Sequence, residues 1–408
     1  MIWYNIYMKT EELNIIELKE LKESLKDLTD TRVKGKTTYK VWDVVTSSLL
    51  AIMANADTFE EIKAFADEKY KFLKSFLQMT GGVASSQTYK NIIGMLSPKE
   101  LQNISFSFIS KMIHGDVKQD IISIDGKVDT SSKREDDKPL NILNAYSSEL
   151  GIFLHGVRVD DKTNEIPMFK DIIKRINVKG NIITVDALNT QKDNATLVKK
   201  LKGEYVFVLK GNHGLIYEDL VDYFNDSELC SSSRKFTQTS KENGNIVVRE
   251  YFQTNDIDWL EMKDDWTGLK TIGCIKKTIT NIKTNKTTTE IRYYISSLEV
   301  DVELFAKCIR NHWAVENKLH WQLDFTFKCD DNTTSDKNAL ENLQILKKII
   351  LNLLNLVKAN YKKSLIKLRF YICLNVEKYI LEIFSLVEKR KKEVGFSLAD
   401  ALKIPIDT

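Results

Sequence analysis

The sequence predicts an α/β fold with a helical N-terminal region, and three observations carry that prediction. Apolar residues up to about Ile113 recur at spacings of three and four, the helical period. From about Asp120 short β-branched runs alternate with helical stretches, and a polar, Thr-rich block follows before helices return. The 408 residues, 43% of them apolar and 29% charged, are enough for two or three domains and a substantial core.

The N-terminal helical pattern shows in Leu18, Leu21, Leu25 and Leu28, and again in Val44, Val45, Leu49, Ile52 and Met53. Within it, residues 30–36 form a basic loop. Gly81–Thr88 reads as a Gly/Ser turn whose serines cap the next helix, and the whole has the size of a small helix-turn-helix-like bundle. Strands are then expected at 120–125, 140–147 and 152–159, a helix near 166–176, a strand at 181–186, a helix near 191–202 and a strand at 204–209. Adjacent strands first and helical crossovers later predict a mixed sheet, antiparallel then parallel. That is the order of the ribonuclease-H-like fold.

Residues 217–291 read as a β-rich insertion, with alternation in 246–252 and 269–276, and 292–298 reads as a strand again. A long apolar helix is expected from about Ala339 to Ala359, then a basic helical tail with Lys362, Lys363, Lys367 and Arg369. The expected division is 1–115 helical, 116–216 and 292–385 as two parts of a catalytic core around the 217–291 insertion, and 386–408 as a tail.

Sixty Lys and Arg nearly balance 57 Asp and Glu, so any affinity for nucleic acid must come from local patches rather than a global field. The five cysteines, Cys230, Cys274, Cys308, Cys329 and Cys373, are scattered and never spaced as Cys-x-x-Cys. This argues against a disulfide framework and a structural zinc site, and for a reducing, cytoplasmic compartment. No apolar run approaches a membrane span, so no membrane partner is expected.

The chemistry concentrates on three acids. Asp125 and Asp186 each close a β-branched run, Ile-Ile-Ser-Ile-Asp and Ile-Ile-Thr-Val-Asp, which should bring both carboxylates to the C-terminal edge of neighbouring strands. Carboxylates gathered there are hard oxygen ligands suited to Mg²⁺ or Mn²⁺. Glu316 lies amid Arg310, His312, Trp313, Asn317, His320 and Trp321, a dense group in a chain with only 5 His and 6 Trp. Indoles offer stacking surfaces for unpaired bases, and Arg and Asn can donate to phosphates. Each residue has a plainer role as well: an aspartate after a strand forms turns, and Trp313 and Trp321, about two turns apart, can anchor a core. Lys210, Asn212 and Lys127 could donate to a phosphate, or simply serve a turn or neutralise a neighbour.

Taken together, Ile124–Lys127, Asn164–Ile166, Thr184–Ala187, Val208–Asn212, Tyr293–Leu298 and Arg310–Trp321, with Leu28–Lys36 and Gly81–Thr88 before them, resemble the H-repeat-associated, or ISAs-type, insertion-sequence transposases, a branch of the DDE transposases. The resemblance spans nearly the whole chain. It implies an RNase-H-like catalytic core interrupted by a β-rich insertion, with Asp125, Asp186 and Glu316 on the family's catalytic triad holding two Mg²⁺ or Mn²⁺ ions. It implies double-stranded DNA partners, the element's terminal repeats and target DNA, and oligomeric assembly on DNA. Lys127, Lys210, Asn212, Arg310 and Asn317 would hold phosphates; His312, Trp313, His320 and Trp321 would orient the glutamate helix or stack on displaced bases. The alternative is a catalytically decayed transposase that only binds DNA.

The chain also departs from the family pattern. Val128–Ser132 replaces a usual Thr-Leu-Arg-Gly-Ser; Cys329-Asp330, Thr333 and Ser335 stand where Glu-Asp and two arginines are usual; and Gly244–Arg249 keeps only the last arginine of Gly-Arg-x-Glu-x-Arg. Each lost phosphate-binding cation lowers DNA affinity and the salt slope by about one counterion's worth.

Overall fold

The computed structural model describes residues 28–33, 35, 37–110, 119–129, 139–159 and 165–393, together with Leu25. Leu18, Leu21, parts of the 30–36 loop, Thr130–Ser132, Asn164 and the tail beyond 393 lie outside the described residues.

Local chemistry sets the N-terminal helices α1 (Val41–Met53), α2 (Phe59–Glu68), α3 (Tyr70–Lys74), α4 (Ser86–Gly94) and α5 (Pro98–Ser110). Thr58 and Glu61 form a reciprocal capping box at the start of α2. Ser85 accepts from the Thr88 amide at 3.1 Å, the serine cap expected after the Gly/Ser turn.

The chain then builds one nine-stranded sheet. Strands β1 (Ile121–Asp129), β2 (Leu140–Ser147) and β3 (Ile152–Val159) come first; α6 (Glu165–Ile173), β4 (Ile182–Val185), α7 (Lys192–Lys200) and β5 (Glu204–Leu209) follow. After α8 (Leu215–Asn225) and α9 (Ser227–Ser231) come β6 (Arg234–Glu242), β7 (Asn245–Thr254), β8 (Thr271–Asn281) and β9 (Thr287–Ser296). The spatial order is β3-β2-β1-β4-β5-β9-β8-β7-β6. β1, β4 and β5 are parallel, and every other pairing is antiparallel. The predicted sequence of antiparallel and then parallel strands is therefore present. The Asn243-Gly244 corner, with φ of 48° and 79°, supplies the left-handed pair that a tight β6–β7 hairpin needs.

Alternation divides the sheet into two buried faces. Ile122, Ile124, Ile183, Val185, Tyr205 and Phe207 pack with α6, α7 and α8. On the opposite face Ile121, Ile182, Val206 and Val208 meet α10 (Val302–Ala314), which Asp301 caps through the Leu304 amide at 3.0 Å. β8 passes close under α10 at Gly273, where an added Cβ would lie 2.6 Å from the Phe252 carbonyl oxygen and 2.6 Å from Phe305 Cζ. Gly273→Ala is expected to cost about 1–3 kcal/mol by overpacking, read as a lower urea midpoint at unchanged slope.

After α10 come two π-helical segments, Val315–His320 and Gln322–Thr326, and then α11 (Lys337–Tyr361), α12 (Leu365–Leu374) and α13 (Val376–Glu393). The long α11 is buried along most of its length, between α1, α4 and α5 on one side and β3 on the other. One apolar core joins the N-terminal helices, the Val315–Phe327 segment and α11 to α13.

Of the basic residues expected on the helical tail, Arg369 is set apart: its side chain is 0% exposed, paired with Asp57 at 2.7 Å, bonded to the Ile52 carbonyl at 2.8 Å and stacked 4.2 Å from the Phe327 ring. A guanidinium flanked by apolar helical positions is buried when a carboxylate and free helix-end carbonyls wait for it.

Candidate active site

Strand register brings the two aspartates together. β1 and β4 pair in parallel up to Ile124–Val185, and the next residue on each is Asp125 and Asp186. Adjacent strands lie about 4.8 Å apart. By alternation both side chains share the face of Ser123 and Thr184, whose hydroxyls lie 3.1 Å apart under α10. The expectation that Asp125 ends its strand holds on one side alone. Toward β4 the ladder stops at Ile124, whereas toward β2 it continues to Asp129, because the β1–β2 hairpin outlasts the shorter β4; Asp125 there faces Asn144.

Asp186 also plays the plainer part. Its Oδ1 accepts from the backbone amide and the side-chain amide of Asn189, each at 3.0 Å, which shapes the turn after β4. Both bonds use one oxygen.

Glu316 is exposed, on the π-helical turn that continues α10. Two histidines four residues to either side anchor that turn over the aspartate strands. His312 Nδ1 lies 3.1 Å from Thr184 Oγ1, two residues before Asp186. His320 Nδ1 lies 3.6 Å from Asp125 Oδ2, and its Nε2 lies 3.4 Å from the Asn144 amide nitrogen. Burial pushes His312 down to about 4 against the pull of Asp186. Burial, with the ammonium groups of Lys127 and Lys348 nearby, pushes His320 down to about 3. Both imidazoles are therefore neutral at pH 7. Widened π turns within α-helical segments recur at functional sites.

The remaining predicted residues divide. Lys210, Asn212 and Arg310 are exposed. The Lys210 loop sits beside the Asp186 turn: Asn212 Nδ2 donates to the Ala187 carbonyl at 3.4 Å, and His213 Nε2 lies 3.2 Å from the Thr190 carbonyl. Asn317 is exposed and donates to the Trp313 carbonyl at 3.0 Å. Trp313 is half-buried under the Arg292 guanidinium at 4.4 Å. Trp321 is no core anchor; it is 47% exposed and stacks at 4.7 Å on Phe325, itself 60% exposed. Lys127, expected as a phosphate ligand, gives its ammonium to Asp324 at 2.7 Å, with Asp330 at 3.7 Å. Arg249, the arginine kept from the insertion pattern, is buried and bound to Glu242 at 2.9 Å.

Asn144, Lys348, Asp324 and Phe325 surround the site but escaped the sequence reading. An asparagine inside the apolar run of β2 and a lysine pair inside an apolar helix were the available signals, since such groups are buried only with partners.

Asp125 and Asp186 suit a divalent cation as hard oxygen donors on one sheet face. Among the described residues, however, no three or more His, Cys, Asp or Glu lie close enough to hold a metal together. As placed, Glu316 is exposed on its turn and completes no such ligand set.

Comparison with known proteins now identifies the class. Residues 118–353 match the model described as transposase DDE domain, and residues 22–109 match that of the DDE-associated region. The chain belongs to the DDE transposase family, whose catalytic domain implies an RNase-H-like fold. It is of the H-repeat-associated type: it is 29% identical over 349 residues to the H repeat-associated putative transposase YhhI of Escherichia coli K12, covering 83% of this chain and 91% of that protein. The protein YbfL of the same strain is likewise 29% identical with the same coverage. A protein of Xanthobacter autotrophicus, named only by its position 3′ of dhlA, is 30% identical over 56% of this chain and 78% of its own length. No helix among the described residues is long and apolar enough to cross a membrane.

Proposed function

We propose that this chain is an active transposase that cuts a phosphodiester at its element's ends and joins the freed 3′-hydroxyl to target DNA, with Asp125, Asp186 and Glu316 as the catalytic acids. The observation that carries this reading is the pair of histidine contacts, His312 to Thr184 and His320 toward Asp125, which hold the Glu316 turn over both aspartate strands. A buried polar clasp at each end of one turn is costly unless satisfied, so it fixes where the intervening residue sits.

In this reading Asp125, Asp186 and Glu316 would be the residues that hold Mg²⁺ or Mn²⁺, two ions in the working complex. The chemistry a divalent ion supplies at such carboxylates is polarisation of a phosphoryl oxygen and a lower pKa for a bound water. Lys210, Asn212, Arg310 and Asn317 donate to phosphates along the exposed rim; Lys127 joins them once Asp324 releases it. Trp321 with Phe325 offers a stacked ring pair for unpaired bases. The DNA duplex of the element ends and the target are the substrates, bound by an oligomer in the nucleoid. The catalytic core spans 116–216 and 292–385, the strands of 217–291 are its insertion, and 1–115 is the associated DNA-binding region.

Glu316→Gln is expected to lose metal-dependent nicking of the element ends by about 10³-fold while DNA binding persists, since several kcal/mol of transition-state charge stabilisation pass through the metal ligands. Nicking at the wild-type rate in Mg²⁺ and Mn²⁺ would overturn its assignment. A second reading, a decayed copy that only binds DNA, draws on the engagement of Lys127 with Asp324 and the burial of Arg249. Wild-type protein that shifts the terminal DNA yet nicks it in neither metal would establish that alternative.

A further inference from the structure

We infer that Lys348 and Asn144 form a buried relay that locks His320 in its Nδ1–H tautomer and thereby positions the Asp125 carboxylate; this rests on the reading of Asp125 as a catalytic acid. Asn144 is 0% exposed and stands directly opposite Asp125 in the β1–β2 ladder. Its orientation is determined twice. Its Nδ2 donates to the Ile142 carbonyl at 2.9 Å, an acceptor only, and its Oδ1 accepts from the Lys348 ammonium at 2.7 Å, a donor only. The second hydrogen on Nδ2 faces His320 Nε2 at 3.4 Å, so Nε2 is the acceptor. An imidazole whose Nε2 accepts carries its one N–H on Nδ1, the atom 3.6 Å from Asp125 Oδ2.

The surroundings are shaped around this chain of contacts. Gly156 faces Asn144 on β3, and a Cβ there would lie 3.1 Å from Asn144 Oδ1, tight enough to push the amide aside. Lys348 is 2% exposed, with Phe153 stacked 4.6 Å from its ammonium. A buried cation two residues removed from a carboxylate is expensive in an apolar helix, and an outer-shell donor that orients a ligating carboxylate is what such a cost secures. Lys348, Asn144 and His320 are positioning residues.

The test begins with the full-length chain labelled with ¹⁵N-histidine, metal-free. With only 5 His in the chain, the imidazole signals can be assigned by single substitutions. His320 is expected as the Nδ1–H tautomer, the minor form of free imidazole, and Asn144→Leu should shift it toward Nε2–H. A wild-type Nε2–H form would overturn the relay. The second arm compares nicking by His320→Asn, whose amide can donate from near the Nδ1 position, with His320→Gln, which reaches the Nε2 position. Asn should retain activity within about tenfold of wild type and Gln should fall about 100-fold, the range seen when outer-shell partners of ligands are lost. If side-chain volume alone mattered, Gln would match or exceed Asn, and the positioning role would fail. Wild-type protein that nicks no DNA would overturn the catalytic reading of Asp125, and the tautomer would then decide the relay by itself.

Discussion

Asp125→Asn and Asp186→Asn are each expected to reduce cleavage of the element ends by at least about 10³-fold while leaving DNA binding within twofold. Each change keeps the side chain's volume and removes one negative oxygen donor from a pair on adjacent strands. In the proposed reading several kcal/mol of transition-state stabilisation would depend on a cation held there, and each 1.36 kcal/mol is a factor of ten. The Asp186 variant has a second signature. An amide retains one oxygen for the Asn189 donors at 3.0 Å, so the turn after β4 should survive and the thermal midpoint should barely change. Asp186→Ala removes the oxygen that accepts both bonds and should lower that midpoint as well as activity. Gel shifts on terminal DNA beside nicking assays check the first claim, and thermal unfolding checks the second. Strand cleavage persisting in Asp125→Asn would remove it from the catalytic set.

The second large effect concerns stability. Asp57→Ala strands the Arg369 guanidinium, 0% exposed, without its carboxylate partner at 2.7 Å. Breaking a buried pair by deleting one partner costs about 3–5 kcal/mol, because the remaining charge is left desolvated. Arg369→Met strands the Asp57 carboxylate, 2% exposed, in the same way and also loses the bond to the Ile52 carbonyl at 2.8 Å, so it should cost about as much. The double variant Asp57→Ala/Arg369→Met should be more stable than Asp57→Ala alone, since no charge is left unpaired. Urea midpoints at constant slope measure all three. Equal stability of Asp57→Ala and wild type would mean that water reaches the guanidinium. The pair ties the N-terminal helices to α12 across 312 residues of sequence, so its loss should be felt by both regions.

Much of the fold was legible because its signals are local. Short β-branched runs ended near the observed β1 to β5, Ser85 capped as its position in the Gly/Ser turn required, and the apolar period of α11 survived intact. The acids of the candidate site were legible too, since Asp125 and Asp186 follow matching runs that pair in register. Other features were not. Trp321 reads as a stacking surface for bases or, from its spacing to Trp313, as a core anchor, and only the structure puts it 47% exposed at the surface. Lys127 reads as a phosphate ligand or as the neutraliser of the carboxylate beside it in sequence, and its partner Asp324 lies 197 residues away. Arg369 reads only as one more basic residue of a helical tail, because nothing near it in sequence announces Asp57.

The order of residues alone therefore settled most helical and strand segments and the mixed sheet class, and it put Asp125 and Asp186 at matching positions on paired strands, because propensity, capping and period act within a few residues. Tertiary structure decided which polar groups are buried and what they serve. Along α11, Gln344, Lys348 and Asn352 recur every four residues on one face and reach Asp129, Asn144 and the Phe153 backbone on three successive strands. In the sequence they look like interruptions of an apolar helix. Whether a buried amide or ammonium is a defect or a positioning device depends on partners about 200 residues away, and only folding brings those within hydrogen-bond reach.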